Sequence, residues 1–135
     1  MTNLPDIVLV EDNPNDVELI LSVMEEYHIV NDVIVLRDGS EALDYLKRQG
    51  KYKNRRGGNP LLVLLDLNLP IVDGRQVLRS MRIDSRLKHI PVVMLTVSRE
   101  QGDVEESFTL GANVYAAKPI DFYQFADIMK QLGLG

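Results

Sequence analysis

Acidic residues follow two apolar runs of the sequence. Glu11 and Asp12 come directly after residues 6–10, and Asp66 ends the run at residues 61–65. Such runs are typical of strands buried on both faces of a parallel sheet, in which the carboxyl ends of all strands lie at one edge. Converging carboxylates repel one another unless a cation joins them. The pattern therefore predicts a site for a hard divalent cation such as Mg²⁺, which prefers oxygen ligands.

A hydroxyl and a lysine follow two further apolar runs. Thr96 ends residues 90–96, and Lys118 lies near the end of residues 114–119. A carboxylate between Mg²⁺ and a lysine, with a hydroxyl in reach, is arranged to attack a phosphoryl group, because both cations offset charge on the transferring oxygens. The alternative is that these residues form unrelated helix caps and ion pairs.

The elements that must position these side chains alternate between strand and helix. Alternation of this kind predicts right-handed crossovers and an α/β fold, a five-stranded parallel sheet with helices on both faces. We expect the flavodoxin-like order 2-1-3-4-5 in a three-layer αβα arrangement, in which the acidic first and third strands are adjacent. The predicted strands are residues 6–10, 33–36, 61–65, 90–96 and 114–119, and the predicted helices end near residues 27, 46, 84, 110 and 132.

Two segments are expected to be held less firmly than the rest. The helix predicted from Arg99 to Leu110 has a thin apolar stripe. Residues 49–59 form a polar loop, which we expect to be mobile because it is longer than most connections in such folds. Its basic residues favour a solvated loop over a nucleic-acid site.

Size and composition limit the other possibilities. The 135 residues predict a single domain over residues 1–135 with no output domain, and the net charge of −5 does not favour a nucleic-acid partner. Hydrophobic residues make up 45% and charged residues 26%, and no apolar run is long enough to span a membrane. Without cysteine, and with only His28 and His89, zinc is not expected. A cytoplasmic location is the expectation.

Over essentially its whole length the sequence resembles the receiver domain of two-component response regulators. The resemblance implies that Asp66 is the phosphoacceptor and that Glu11, Asp12 and Asp66 hold Mg²⁺. It also implies that the backbone carbonyl of Asn68, two residues after the acceptor, completes the metal site. As a combined pattern these motifs are highly specific.

The same resemblance assigns a switch. Thr96 matches the switch hydroxyl, Lys118 the phosphate-binding lysine and Tyr115 the aromatic switch position, while Pro119 matches the usually cis proline. The alternative for Tyr115 is a half-buried core aromatic. Val97 stands where many receivers carry Ala or Ser, and its branched side chain is expected to slow entry of the water that removes the phosphoryl group.

The resemblance implies a stand-alone response regulator of a phosphorelay. Such a protein is a signalling phosphoacceptor rather than an enzyme, with slow self-catalysed dephosphorylation. Its partners would be a sensor histidine kinase, with phytochrome-type kinases as the suggested class, and a downstream target protein. Phosphorylation would change the face made by the fourth helix, the fifth strand and the fifth helix. Phe122 and Tyr123 are expected on that face, where they would support a homodimer.

Three other classes of protein fit the sequence less well. A haloacid-dehalogenase-type phosphatase needs a second aspartate two residues after the first, where this sequence has Asn68. A nucleotide or flavin binder needs a glycine-rich loop after the first strand, where this sequence has Glu11 and Asp12. A pseudo-receiver would be expected to have lost one or more of the site residues, and all are present here.

Overall fold

The computed structural model describes residues 4–97 and 101–134 of the chain. Five strands alternate with five helices, as the sequence pattern predicted. The elements are β1 (Ile7–Val10), α1 (Pro14–Glu26), β2 (Val33–Leu36), α2 (Gly39–Lys47), β3 (Leu62–Asp66), α3 (Gly74–Ile83), β4 (Val92–Thr96), α4 (Gln101–Thr109), β5 (Val114–Ala117) and α5 (Phe122–Gln131), with a short 3₁₀ helix at Gly50–Tyr52.

The strands form one parallel sheet in the order β2-β1-β3-β4-β5, so the predicted topology is confirmed. Helices α1 and α5 cover one face and α2 and α3 cover the other, each above its own apolar core. The residues of β1 and β3 are all buried, because both of their faces lie under helices. In register, Val10 of β1 lies beside Leu65 of β3. This pairing places the residues that follow the two strands next to each other.

Side chains cap four of the helices, α1, α2, α3 and α5, at their starts. The Asn13 side chain accepts hydrogen bonds from the backbone N–H groups of Asn15 and Asp16 at the start of α1. Asp73 and Asp121 form capping boxes at the starts of α3 and α5. Because a cap satisfies N–H groups that have no partner within the helix, it fixes the residue at which each helix begins.

Element boundaries differ from the predicted ones near the prolines. The last strand ends at Ala117 rather than Pro119, and β4 starts at Val92, one residue after Pro91. Proline has no N–H group to donate to a strand ladder, so it ends or precedes a strand. The bond between Lys118 and Pro119 is cis, as the family resemblance implies. The predicted helix start at Arg99 lies outside the described residues.

The loop between α2 and β3 is more ordered than its composition suggested. The Arg55 guanidinium lies 4.1 Å from the centre of the Tyr45 ring and donates to the Tyr45 carbonyl at 2.9 Å. Arg48 donates to the carbonyl oxygens of Arg55 and Gly57. The expectation of a simply solvated loop was therefore wrong for these two arginines, since arginine binds several carbonyl groups at once.

None of the helices in the described part of the chain has both the length and the apolar character that crossing a bilayer requires.

Candidate functional site

Three carboxylates meet at the carboxyl edge of the sheet. Glu11 and Asp12 follow β1, Asp66 ends β3, and these strands are neighbours. One oxygen from each of the three lies within 4.8 Å of the others. Glu11 and Asp66 are buried, whereas Asp12 is exposed. A set of oxygen donors with one side open to water fits Mg²⁺, which keeps several of its own waters when it binds to proteins.

The loop after Asp66 is folded tightly against the end of β3. The backbone N–H of Asn68 donates to Asp66 Oδ1 at 3.2 Å, and the N–H of Gly74 donates to the carbonyl of Leu67 at 3.1 Å. A Cβ atom at Gly74 would lie 2.0 Å from the carbonyl oxygen of Asp66. Only glycine fits this approach without a shift of the backbone. The role of the Asn68 carbonyl oxygen as a ligand of the metal ion remains a prediction.

Lys118 binds three carboxylates at this edge. Its ammonium group lies 3.0 Å from Asp66 Oδ2 and 3.1 Å from Asp16 Oδ2, and it also donates to Glu11 Oε1. Its side chain is only 8% exposed. An ammonium group has three N–H donors, and the three acceptors account for all of them. Asp66 therefore has a fixed positive charge beside one of its two oxygens.

The sequence analysis did not single out Asp16. It lies in the first turn of α1, and its side chain is 29% exposed. Aspartate is common in the first turn of a helix because its negative charge is favourable there. The sequence therefore gave no reason to expect that Asp16 also contacts a lysine 102 residues away. The spacing Glu11-Asp12-x-x-x-Asp16 was a signal, because one helical turn brings Asp16 back towards the strand end.

The site holds more negative than positive charge. Among the described residues at this edge, four carboxylates face one ammonium group: Glu11, Asp12, Asp16, Asp66 and Lys118. Burial raises the pKa of Glu11 to about 7, although Lys118 and the Asn13 N–H act to lower it. Burial alone would lower the pKa of Lys118, but its bonds to Glu11 and Asp66 raise that pKa overall. A further cation would relieve this imbalance.

The two predicted switch residues lie on β4 and β5. Thr96 is buried at the end of β4, and its carbonyl accepts the backbone N–H of Lys118 at 2.8 Å. The neighbouring Leu95 is paired in register with Asp66, so Thr96 lies beside the end of β3. Tyr115 lies opposite Met94 in the sheet and is half-buried against the core under α2 and α3. Both switching roles remain predictions.

Phe122 does not lie where the sequence analysis expected it. Its ring is half-buried and lies 5.9 Å from that of Tyr27, which follows α1. Tyr123 is 80% exposed, and both aromatics line a groove of about 540 Å³ between α1 and the start of α5. The placement of Phe122 on the face of α4, β5 and α5 was therefore wrong, because the first turn of α5 points towards α1. The homodimer stays a prediction.

An ion-pair cluster joins α3 to α4. Arg75, next to Gly74, lies 3.3 Å from Asp73 and 3.2 Å from Asp103, and it also binds Glu106. The cluster connects the end of the loop after β3 to α4, the helix that the sequence predicted to be held weakly. Its charges come from two segments about 30 residues apart, so no local pattern indicated it.

Comparison with known proteins identifies the fold and the family. The sequence profile of the response regulator receiver domain matches residues 7–130. Response regulator Rcp1 of Synechocystis sp. is 45% identical over 112 residues, which are 83% of this chain and 75% of Rcp1. The structure of the Mn²⁺-bound form of Rcp1 matches with a TM-score of 0.83 at 38% identity, over 96% of this chain and 94% of that one.

Two other solved structures are similar. The bacteriophytochrome response regulator AtBRR matches with a TM-score of 0.89 at 52% identity, over 98% of this chain and 94% of that one. The phosphorylated cyanobacterial phytochrome response regulator RcpA matches with a TM-score of 0.81 at 40% identity, over 96% of this chain and 91% of that one. These relatives confirm the similarity to response regulators associated with phytochromes.

Proposed function

This chain belongs to the response regulator receiver domain family, and we propose that it accepts a phosphoryl group on Asp66 from a phosphohistidine of a sensor kinase. The observation that carries the proposal is the environment of Asp66, a buried carboxylate bonded to Lys118 at 3.0 Å and grouped with Glu11 and Asp12. The protein is then a signalling phosphoacceptor rather than an enzyme acting on a separate substrate.

In the proposed reaction an oxygen of Asp66 attacks phosphorus while the bond from phosphorus to the histidine nitrogen breaks. The nitrogen leaves with the electron pair of that bond, and the new bond is a mixed anhydride on Asp66. Lys118 donates to the phosphoryl oxygens, where charge accumulates during transfer. Hydrolysis of the anhydride by water resets the protein, and the chain's own groups catalyse it.

We propose that the divalent ion is Mg²⁺, held by Glu11, Asp12, Asp66 and the Asn68 carbonyl. When bound, it offsets the charge of the carboxylates and of the phosphoryl oxygens. The similar Rcp1 structure is that of a Mn²⁺-bound form, which supports a divalent site in this family. The excess of carboxylates over cations at this edge is the feature of the present chain that supports it.

The proposed output begins at Thr96. A phosphoryl group on Asp66 draws the Thr96 hydroxyl towards it, because a dianion accepts strong hydrogen bonds. Tyr115 then turns inward and changes the face of α4, β5 and α5. The signal leaves through contact with a target protein or through a homodimer, for which size measurement with and without phosphorylation is the test.

The proposed donor is a phytochrome-type histidine kinase, as the names of AtBRR and RcpA suggest by similarity. The test is transfer from such a kinase, autophosphorylated with labelled ATP and mixed with the purified protein. We expect label to move rapidly to wild type and not to Asp66→Asn. Asp32→Asn is the matched control, because Asp32 is exposed at the opposite edge of the sheet. Equal labelling of Asp66→Asn and wild type contradicts the proposal.

A further inference from the structure

Asp16 occupies a position at the site that the metal and acceptor roles leave unassigned. The carboxylates at this edge form two overlapping sets, both of which contain Glu11 and Asp66. Asp12 belongs to the group suited to a metal, and Asp16 belongs to the group around Lys118. Within the part of the chain that the structure describes, Asp16 is not a member of the metal group.

The local structure fixes Asp16 in place. The Asn13 side chain accepts the backbone N–H of Asp16 at 3.3 Å, and the Asn13 N–H donates to Glu11 Oε2 at 3.1 Å. Glu11 thus holds both the loop that begins α1 and the Lys118 ammonium group. The carboxylate of Asp16 is therefore presented to Lys118 from a capped helix rather than from a free loop.

We propose that Asp16 is a positioning residue that restrains Lys118 and slows the uptake of phosphoryl groups by Asp66. All three N–H donors of Lys118 are engaged before a phosphoryl group arrives. To donate to the phosphoryl oxygens, Lys118 must move against its attraction to Asp16. The negative charge of Asp16 also opposes the approach of an anionic donor. This inference rests on the function proposed above.

The first test needs no phosphoryl chemistry. The ammonium protons of Lys118 are observed by ¹⁵N NMR in the absence of any phosphoryl donor, and their exchange with water is measured. We expect slow exchange in wild type and at least severalfold faster exchange in Asp16→Ala, because one of three hydrogen bonds is lost. Glu18→Ala is the matched control, since it removes an exposed acid from the same helix. Unchanged exchange in Asp16→Ala overturns the inference.

The second test measures the rate at which acetyl phosphate, at saturating Mg²⁺, phosphorylates each variant. Asp66 gains the phosphoryl group, and acetate leaves with the electron pair of the broken P–O bond. We expect Asp16→Ala to react faster than wild type, because Lys118 loses its contact with Asp16. The increase should be only about three- to tenfold, because a partly exposed charge is partly screened. Asp16→Asn, which keeps an acceptor oxygen without the charge, should lie between them, and Glu18→Ala should match wild type.

The outcomes separate this inference from the proposed function. An equal or lower rate in Asp16→Ala, beside a wild type that reacts, overturns the inference alone. A rate increase shared by Glu18→Ala also overturns it, because the cause is then overall charge. No phosphorylation of wild type overturns the proposed function and the restraint on uptake together. Asp12→Asn should instead show a higher requirement for Mg²⁺, which the Asp16 variants should not share.

Discussion

The two ends of β1 carry polar networks of opposite character. Before the strand, the Asp6 carboxylate accepts the Tyr45 hydroxyl at 2.6 Å, and the Arg55 guanidinium packs on the same ring. After the strand, Glu11 belongs to a group in which, among the residues that the structure describes, four carboxylates surround one lysine. The first network has one carboxylate and one guanidinium group, both in contact with the Tyr45 side chain, whereas the second has an excess of negative charge.

This difference distinguishes a structural network from a functional one. In the network around Tyr45 the opposite charges of Asp6 and Arg55 offset each other, so this end of the strand does not require a further cation. The excess of acid at the other end costs stability until a cation arrives, and functional sites commonly hold such unfavourable groups. The two ends should therefore respond differently to substitution, to Mg²⁺ and to pH, with effects that range from several kcal/mol to a small change in rate.

The largest change in stability is expected at Gly74, whose backbone packs against that of Asp66. Gly74→Ala places a Cβ atom against the carbonyl oxygens of Asp66 and Leu67. We expect the free energy of unfolding to fall by about 3 kcal/mol, because these backbone atoms must shift. Gly58→Ala, in the loop between α2 and β3, has no atom within 4 Å of the added Cβ and should leave stability nearly unchanged. Equal effects in urea unfolding would contradict this account of the acceptor loop.

Mg²⁺ should stabilise the folded protein through the acidic network after β1 and not through the Tyr45 network before it. In wild type we expect millimolar Mg²⁺ to raise the free energy of unfolding by about 1–3 kcal/mol, through binding to the folded state. Asp12→Asn should lose most of this increase, whereas Tyr45→Phe, which alters the other network, should keep it. Thermal melts with and without Mg²⁺ give the comparison. An equal Mg²⁺ increase in wild type and Asp12→Asn would show that the ion binds elsewhere.

The Tyr45 network should respond to alkaline pH. Burial, followed by the hydrogen bond to Asp6, raises the pKa of Tyr45 to about 12 from its ordinary value of 10. The folded state therefore binds this proton more tightly than the unfolded state does. The contribution is complete below pH 10 and is lost as the pH rises to about 12, a loss of roughly 2 kcal/mol.

Unfolding measured across pH 9–12 tests this expectation. Tyr45→Phe has no hydroxyl to ionise, so its stability should fall less steeply over that interval than the stability of wild type. Parallel pH profiles for the two proteins would show that Tyr45 does not titrate as its surroundings indicate.

The smallest expected effect concerns Val97. Its side chain is 72% exposed beside the end of β4, so it can shield the acceptor only partially. We expect Val97→Ala to shorten the lifetime of the phosphorylated protein about twofold, in keeping with small effects of exposed substitutions. The decay of phosphorylated protein is followed after removal of the donor. An unchanged lifetime would mean that Val97 does not limit the entry of water.

The sequence predicted the fold and the positions of the strand ends well. Apolar runs and capping residues are local signals, and a parallel sheet brings all its strand ends to one edge. The order of the strands alone was therefore enough to predict that Glu11, Asp12 and Asp66 lie close together, as the structure shows.

The remaining features depend on contacts that local patterns do not contain. Asp16 contacts Lys118, which is 102 residues away in the sequence, and Arg55 packs on the Tyr45 ring, ten residues before it. The predicted position of Phe122 was wrong because the sequence of a helix does not show which of its sides will face a neighbouring helix. Its contact with Tyr27 depends on how α1 and α5 pack.

The most direct test of the central claim is phosphorylation of the purified protein by acetyl phosphate or phosphoramidate, with and without Mg²⁺, read by intact mass beside Asp66→Asn. We predict a gain of one phosphoryl group in wild type that requires Mg²⁺ and is absent from the variant. No gain under any condition, or an equal gain in Asp66→Asn, would contradict the assignment of this edge as a phosphoryl acceptor.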